Sequence, residues 1–257
     1  MVAVNTPDLW RASFPRPSAS DHKYTRGHTA ILGSERYTGA TRLAAEACSR
    51  IGSGLVSVLS QTQADLFRLA LPPDIMISER NLSELRAVNT VLAGPGGLTD
   101  VQVSQVSDLD PEIALILDAD AIRIHDQCID RPIVFTPHEG EFERYFGLIG
   151  SDRVKAVQMA ATQSKAIIIL KGAETLIGGP DDTVIVNRTA SPYLAKAGTG
   201  DVLAGFIAGL VAQRMPLFDA ACAGVWIHGR ASERIGPGLV PQDLFAEIRP
   251  VLREILS

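Results

Sequence analysis

Short apolar runs closed by glycine, proline or a carboxylate recur along this chain, and segments of helical period separate them. They read "HTAILG", "GLVSVLS", "TVLAG", "IALILDAD", "PIVFTP" and "AIIILKG". Runs that are apolar at nearly every position cannot face water on either side. The rhythm therefore predicts βαβ units, with a mainly parallel sheet covered by helices on both faces. Between the first two runs, "GATRLAAEACSRIG" places Ala40, Leu43, Ala44, Ala47, Cys48 and Ile51 on one helical face and Arg42, Glu46 and Arg50 on the other.

After "AIIILKG" the pattern changes. "ETLIGG", the turn "PDD" and "TVIVN" predict an antiparallel hairpin at one edge of the sheet. From there the chain is helical to its end, beginning with "GDVLAGFIAGLVAQ", whose Val202, Leu203, Phe206, Ile207, Leu210 and Val211 form a broad buried stripe. Residues 1–26, with Pro7, Pro15 and Pro17 among several serines, read as a segment that wraps the surface, and residues 27–257 as one three-layer α/β/α domain with its core starting near Gly27.

Composition narrows the partners. With 46% apolar and 21% charged residues and a net charge of −5, the chain is globular and offers no polycationic face to nucleic acid or anionic lipid. No stretch reaches the ~18 apolar residues of a membrane span, and the start lacks the pattern of a signal peptide. Cys48, Cys128 and Cys222 are widely spaced and odd in number, which suits free buried thiols in a reducing cytoplasm. The expectation is a cytoplasmic protein acting on small molecules.

Open α/β sheets bind ligands beyond the carboxyl ends of their strands. Those positions hold "GSERYTGA", "GPGG", "DADA", "TPHEGE" and "KGAET", with Asp118, Asp120, His138, Glu139, Glu141 and Lys171 among the glycines. A further segment, "AKAGTGDVLAG", opens a helix near Thr199. The free amides of a helix's first turn and the positive end of its dipole form an anion site, and Gly198 and Gly200 leave those amides uncovered. Asp201 is then either a helix cap or a base beside a bound phosphoryl group. A cation at a strand end, as at Lys171, also suits a phosphate, the alternative being a solvated lysine. Asp118 and Asp120 read as turn residues, with a place in a magnesium-water shell as the alternative.

"GTGDVLAGFIAGLVAQ" resembles the GxGD helix of the ribokinase-like superfamily. "HKYTRGH", "YTGATRLAAEACSRIGSGLVSV", "GPGG", "ILDADAI", "FTPHEGEFERYFG", "LKGAETLI", "NRTASPYLAKAGTGDVLAG", "VWIHGRAS" and "GPGLVPQDL" follow in the order of its NAD(P)H-hydrate dehydratase branch. The resemblance runs from about His22 to the C-terminus. It implies a ribokinase-like sandwich and repair of the hydrated cofactors NADHX and NADPHX. In that reaction a nucleotide phosphorylates the ring hydroxyl, and phosphate is then lost. Asp201 matches the family's base, and Gly198, Thr199 and Gly200 its anion hole. Ala40, Gly96, His138 and Asp201 match positions that contact the hydrated substrate. Lys171, Gly172, Ala173, Glu174, Thr175 and Gly200 match the donor-nucleotide site.

The segments look most like the second half of bacterial enzymes fused to an epimerase. This implies ADP rather than ATP as donor, with Mg2+ on its phosphates and no dedicated metal cage. Epimerisation is not expected of these residues. Family members also imply a homo-oligomer, in the form of a tetramer. Three positions depart from the family pattern: Glu35 follows Gly33 and Ser34 near an expected phosphate site, "GPGGLTD" shifts a glycine relative to Gly96, and Lys196 stands where threonine is frequent. Lys196 is open to two readings, a phosphate contact or an ion pair with Asp201. The rival readings are a ribokinase-like kinase for a small molecule such as a vitamin precursor, and a nucleotide-binding sensor without turnover.

Overall fold

The computed structural model describes residues 2–128 and 130–257. In chain order its elements are β1 (Ala3–Val4), β2 (His28–Leu32), α1 (Thr38–Ile51), β3 (Leu55–Leu59), α2 (Ala64–Ala70), β4 (Met76–Ser78), β5 (Thr90–Ala93) and α3 (Asp100–Ser107). Then follow β6 (Ala114–Leu117), β7 (Ile133–Phe135), α4 (Glu139–Phe146), α5 (Arg153–Ser164), β8 (Ile167–Leu170), β9 (Thr175–Gly178) and β10 (Val184–Asn187). The chain closes with α6 (Thr199–Ala212), α7 (Leu217–Ile235) and α8 (Asp243–Leu256). Short 3₁₀ turns fill several connections.

The strands form one 10-stranded sheet in the order β1-β10-β9-β8-β7-β6-β5-β2-β3-β4. Every neighbouring pair is parallel except those made by β9, which runs antiparallel to both β8 and β10. The predicted hairpin is present, and only β1 lies outside it. The central parallel strands feed both cores. Ile31, Val58, Leu92, Ile116 and Val134 enter one apolar cluster, while Ala30, Leu32, Val91, Leu117 and Phe135 enter the other. This period of two, apolar on both sides, demands two helical layers. Residues of α1, α6, α7 and α8 cover the first face, and residues of α3, α4 and α5 the second.

α6 is buried on every side rather than along a stripe. The small residues of α1 make this possible: a Cβ at Gly205 would come 2.3 Å from the Ala44 carbonyl oxygen, and one at Gly209 2.3 Å from Ile51 Cγ2. The two helix backbones therefore touch, which fixes where the first turn of α6 emerges.

The N-terminal segment differs from its expectation. Trp10 and Phe14, spaced as i and i+4, belong to the first core cluster, so that core does not begin at Gly27. Trp10 is 1% exposed, meets Trp226 of α7 edge-on at 5.9 Å, and donates from Nε1 to Asn5 Oδ1 at 3.1 Å. An amphipathic indole can seal an apolar face while its N–H is satisfied locally. All three cysteines are free and buried. Among the described residues no helix is long and apolar enough to cross a membrane.

Candidate active site

The strand order places two sets of loops side by side. Between β2 and β5 the direction of winding reverses, the kind of switch point beside which open α/β sheets bind ligands. Ser34 ties the two loops together there, its hydroxyl donating to the Gly96 carbonyl at 2.7 Å. The Thr41 hydroxyl donates to the Pro95 carbonyl at 3.2 Å. Gly96 has φ +87°, and a Cβ there would strike the Tyr37 carbonyl oxygen at 2.4 Å, so the loop closes on the start of α1 only because it is glycine. Ala40 sits in that first helical turn, partly exposed.

The second set follows β6, β7 and β8, which are adjacent in the sheet. Their ends bring Asp118, Thr136 and Lys171 into contact. Asp118 Oδ1 accepts hydrogen bonds from Thr136 Oγ1 at 2.5 Å and from Lys171 Nζ at 3.0 Å. The Asp118 side chain is only 4% exposed and that of Lys171 23%. Asp118 keeps its place in the turn, its carbonyl accepting from the Ala121 amide at 3.0 Å, while its side chain is buried against Thr136 and Lys171. Asp120 does keep the structural role, accepting from the Leu98 amide at 3.1 Å and steadying the loop that carries Gly96. Burial pulls the Lys171 ammonium down, but Asp118, with smaller help from Glu141 and Asp201, outweighs it and holds the group above its usual value.

The first turn of α6 faces this pair. Gly198 precedes the helix at φ +96° with no side-chain cap, and a Cβ on it would press on Leu43 Cδ1 at 2.7 Å and Pro241 Cγ at 2.9 Å. The Thr199 amide turns back to the Lys196 carbonyl at 3.3 Å, and its hydroxyl donates to the Leu194 and Lys196 carbonyls. Thr199 therefore seals the turn, and the amides presented to a ligand are those of Gly200 and Asp201. Burial drives the Asp201 carboxyl up to about 7, the Asp118 charge pushes it the same way, and Lys171 opposes both. Lys171 Nζ also lies 3.5 Å from where a Gly200 Cβ would stand. Lys196 is exposed and makes no ion pair with Asp201; the cation beside Asp201 is Lys171.

A cavity of about 720 Å³ opens from this centre. Lys171, Gly172, Ala173, Thr175, Thr199, Gly200 and His138 border it, so most of the expected donor-site residues share one space. Glu174 does not line it; it is paired with Arg188 at 2.8 Å. His138 caps α4, its Nδ1 accepting from the Glu141 amide at 3.2 Å while Glu141 reaches back to the His138 amide at 2.9 Å. Its side chain is 62% exposed, with Nε2 3.4 Å from Glu141 Oε1, and the residue borders the cavity. Glu35 points instead into a separate pocket of about 210 Å³ beside Arg80 and Gln102. Sequence reasoning missed the segment from Asn187 to Ala195 and the α7 residues Val225 and His228, which also line the large cavity. Nothing distinguished the α7 pair from ordinary core positions.

Among the described residues no three His, Cys, Asp or Glu side chains converge as a metal cage. The donor set, with single carboxylates at Asp118 and Asp201, suits an octahedral ion that keeps its waters and is carried by phosphate oxygens.

A parallel sheet between two helical layers, with an uncapped glycine-flanked helix mouth and an aspartate facing a strand-end lysine, defines a ribokinase-like α/β/α protein. The model of the NAD(P)H-hydrate dehydratase family matches residues 29–248, and the chain belongs to that family. It is 33% identical over 98% of its length to the ADP-dependent (S)-NAD(P)H-hydrate dehydratase of Neisseria meningitidis, covering 91% of that protein. It is 32% identical over 93% of its length to the bifunctional NAD(P)H-hydrate repair enzyme Nnr of Coxiella burnetii, of which it covers 54%. The chain thus spans about half the length of the bifunctional relatives it matches. The ADP/ATP-dependent NAD(P)H-hydrate dehydratase of Bacillus subtilis, crystallised with ATP and Mg2+, superposes with a TM-score of 0.84 over 99% of both chains at 28% identity.

Proposed function

We propose that this chain dehydrates NADHX and NADPHX to NADH and NADPH at the expense of ADP. The reading rests on one observation above the others: the Asp201 carboxyl, raised to about 7, stands in the uncapped first turn of α6 opposite the Lys171–Asp118 pair. A general base works best when its proton affinity matches the working pH. Asp201 takes the proton of the ring hydroxyl, and that oxygen attacks the terminal phosphoryl group of ADP, releasing AMP. Lys171 and the Gly200 and Asp201 amides carry the negative charge that spreads over the transferred group. Phosphate then leaves with the C–O bond pair as the ring nitrogen donates its lone pair, and loss of a proton from the neighbouring carbon restores the dihydropyridine. Asp118 and Asp201 would hold the waters of a magnesium ion carried on the ADP oxygens, and such an ion would supply charge neutralisation there.

Ala40 and Gly96 lie beside the switch point proposed for the hydrated nicotinamide. His138, Lys171, Gly172, Ala173 and Thr175 border the cavity proposed for the donor. The reading includes a cytoplasmic homo-oligomer, its order of assembly to be measured by light scattering. The deciding experiment is a coupled assay with both hydrates, with ADP and ATP in parallel, repeated on Asp201→Asn. Growth of reduced-nicotinamide absorbance with ADP, lost in the variant, is expected. A stable phosphorylated product without that absorbance would make the protein a kinase instead.

A further inference from the structure

One residue lining the large cavity carries a buried nitrogen that has no partner. His228 lines that cavity from α7 with Val225 and Gly229, the three falling at i, i+3 and i+4 on one helical face. The residue is 7% exposed, and its Nε2 finds no hydrogen-bond partner within the chain. Buried polar groups are nearly always satisfied, and one left unpaired on a residue that lines a cavity points to a ligand that completes it. The ring stands beside the Thr199 carbonyl and 6.3 Å from the Phe206 ring. The cavity that it lines is bordered also by Lys171 and Gly200 and by the apolar side chains of Leu203, Val225, Pro192 and Leu194. A Cβ at Gly229 would fall 1.6 Å from the Thr189 carbonyl oxygen, so the strap after β10 lies flat on α7 next to His228.

We propose that His228 is a specificity-determining residue for the nucleoside part of the phosphoryl donor, its Nε2 hydrogen-bonding the sugar or base edge of an adenine nucleotide and not its phosphates. The assignment rests on the reading of this cavity as the donor site. Burial, helped by the Lys171 charge and opposed by the Thr199 carbonyl, pushes the imidazole down to about 4, so near neutrality it is uncharged. A neutral ring offers a phosphate little that Lys171 does not already provide.

Calorimetric titration of AMP, ADP and inorganic pyrophosphate into the wild type, His228→Phe and His228→Gln tests the assignment. His228→Phe should weaken AMP and ADP about tenfold, leave pyrophosphate unchanged and raise the melting temperature of the ligand-free protein, because the orphaned nitrogen is gone. His228→Gln, which keeps a polar group there, should recover part of the nucleotide affinity, and it carries the test alone should the Phe variant fail to fold. In turnover, KM for ADP should rise with kcat retained. Unchanged AMP affinity with a lower melting temperature would mark a core histidine and overturn the proposal, as would an equal loss for pyrophosphate and AMP. Wild-type protein that binds neither AMP nor ADP would overturn the donor-site reading itself, an outcome distinct from any effect of the variants.

Discussion

The mouths of α4 and α6 border the same cavity and are built in opposite ways. α4 is closed by a reciprocal capping box, in which the His138 ring and the Glu141 carboxylate each take a backbone amide of the other. α6 begins with a left-handed glycine and no side-chain cap, and its first acidic residue faces a buried ion pair instead of its own amides. Capping satisfies the free donors of a helix start and favours folding; leaving them open costs stability and creates a site for an anion. The contrast separates a helix start serving the fold from one available to chemistry, a distinction that an acidic residue in the first turn of both does not reveal.

Breaking the open mouth should have the largest effect. Asp201→Asn is expected to lower turnover by roughly 10²–10⁴-fold, the usual worth of a positioned base, while ADP affinity in calorimetry stays within a few-fold. Similar turnover in the variant would remove Asp201 as the base. The centre behind the mouth comes next. Asp118→Asn or Lys171→Met alone leaves a buried charge without its partner, at a cost of about 3–5 kcal/mol in urea unfolding, and the double variant should recover much of the loss.

The acidity of Asp201 sharpens the comparison through pH. Turnover with saturating substrates should rise about tenfold per unit below pH ~7 and level off above it, because the base must be ionised. Stability runs the other way. The folded value, about 7, lies above the ordinary 3.8, so the native state holds this proton more tightly than the unfolded chain. The stabilisation is fully present below the ordinary value and is lost as pH rises through about 7. Asp201→Asn should therefore melt higher than wild type at pH 8, and that gain should vanish near pH 4.

Smaller effects are expected from the glycine and the cap. Gly198→Ala forces a side chain into φ +96° and against Leu43 and Pro241, and should cost about 1–3 kcal/mol while weakening ADP. Glu141→Ala opens the α4 mouth and should cost only about 1 kcal/mol by thermal unfolding. If the Glu141 variant impaired ADP binding as strongly as Gly198→Ala, the division between the two helix starts would fail.

Much of this arrangement was legible in the order of residues. The apolar runs announced the parallel strands, "PDD" the hairpin, and "GTGD" the glycine-flanked helix start, since each is a local signal with a local cause. The two aspartates of "DAD" show where legibility stops. Asp118 and Asp120 are two residues apart in one turn, yet one is buried against Lys171 and the other steadies the Gly96 loop. Their chemistry is identical, and only the neighbours supplied by β7 and β8 tell them apart. Trp10 and His228 were hidden for the same reason. Each reads as an unremarkable apolar-segment residue until α7, the N-terminal segment and the strap after β10 are packed together.

The sequence by itself determined the layered α/β architecture, the place of the glycine-flanked helix start, and the acid and base types available there, because periodicity, turn chemistry and glycine content act over a few residues. The tertiary structure alone decided that the Asp201 carboxyl has a proton affinity near neutrality, that Thr199 spends its amide on a turn, and that Asp118 rather than Asp120 or Lys196 stands with Lys171 behind the helix mouth. Those outcomes depend on burial and on charges brought together from strands and helices far apart in the chain, and desolvation and Coulomb forces act on positions in space.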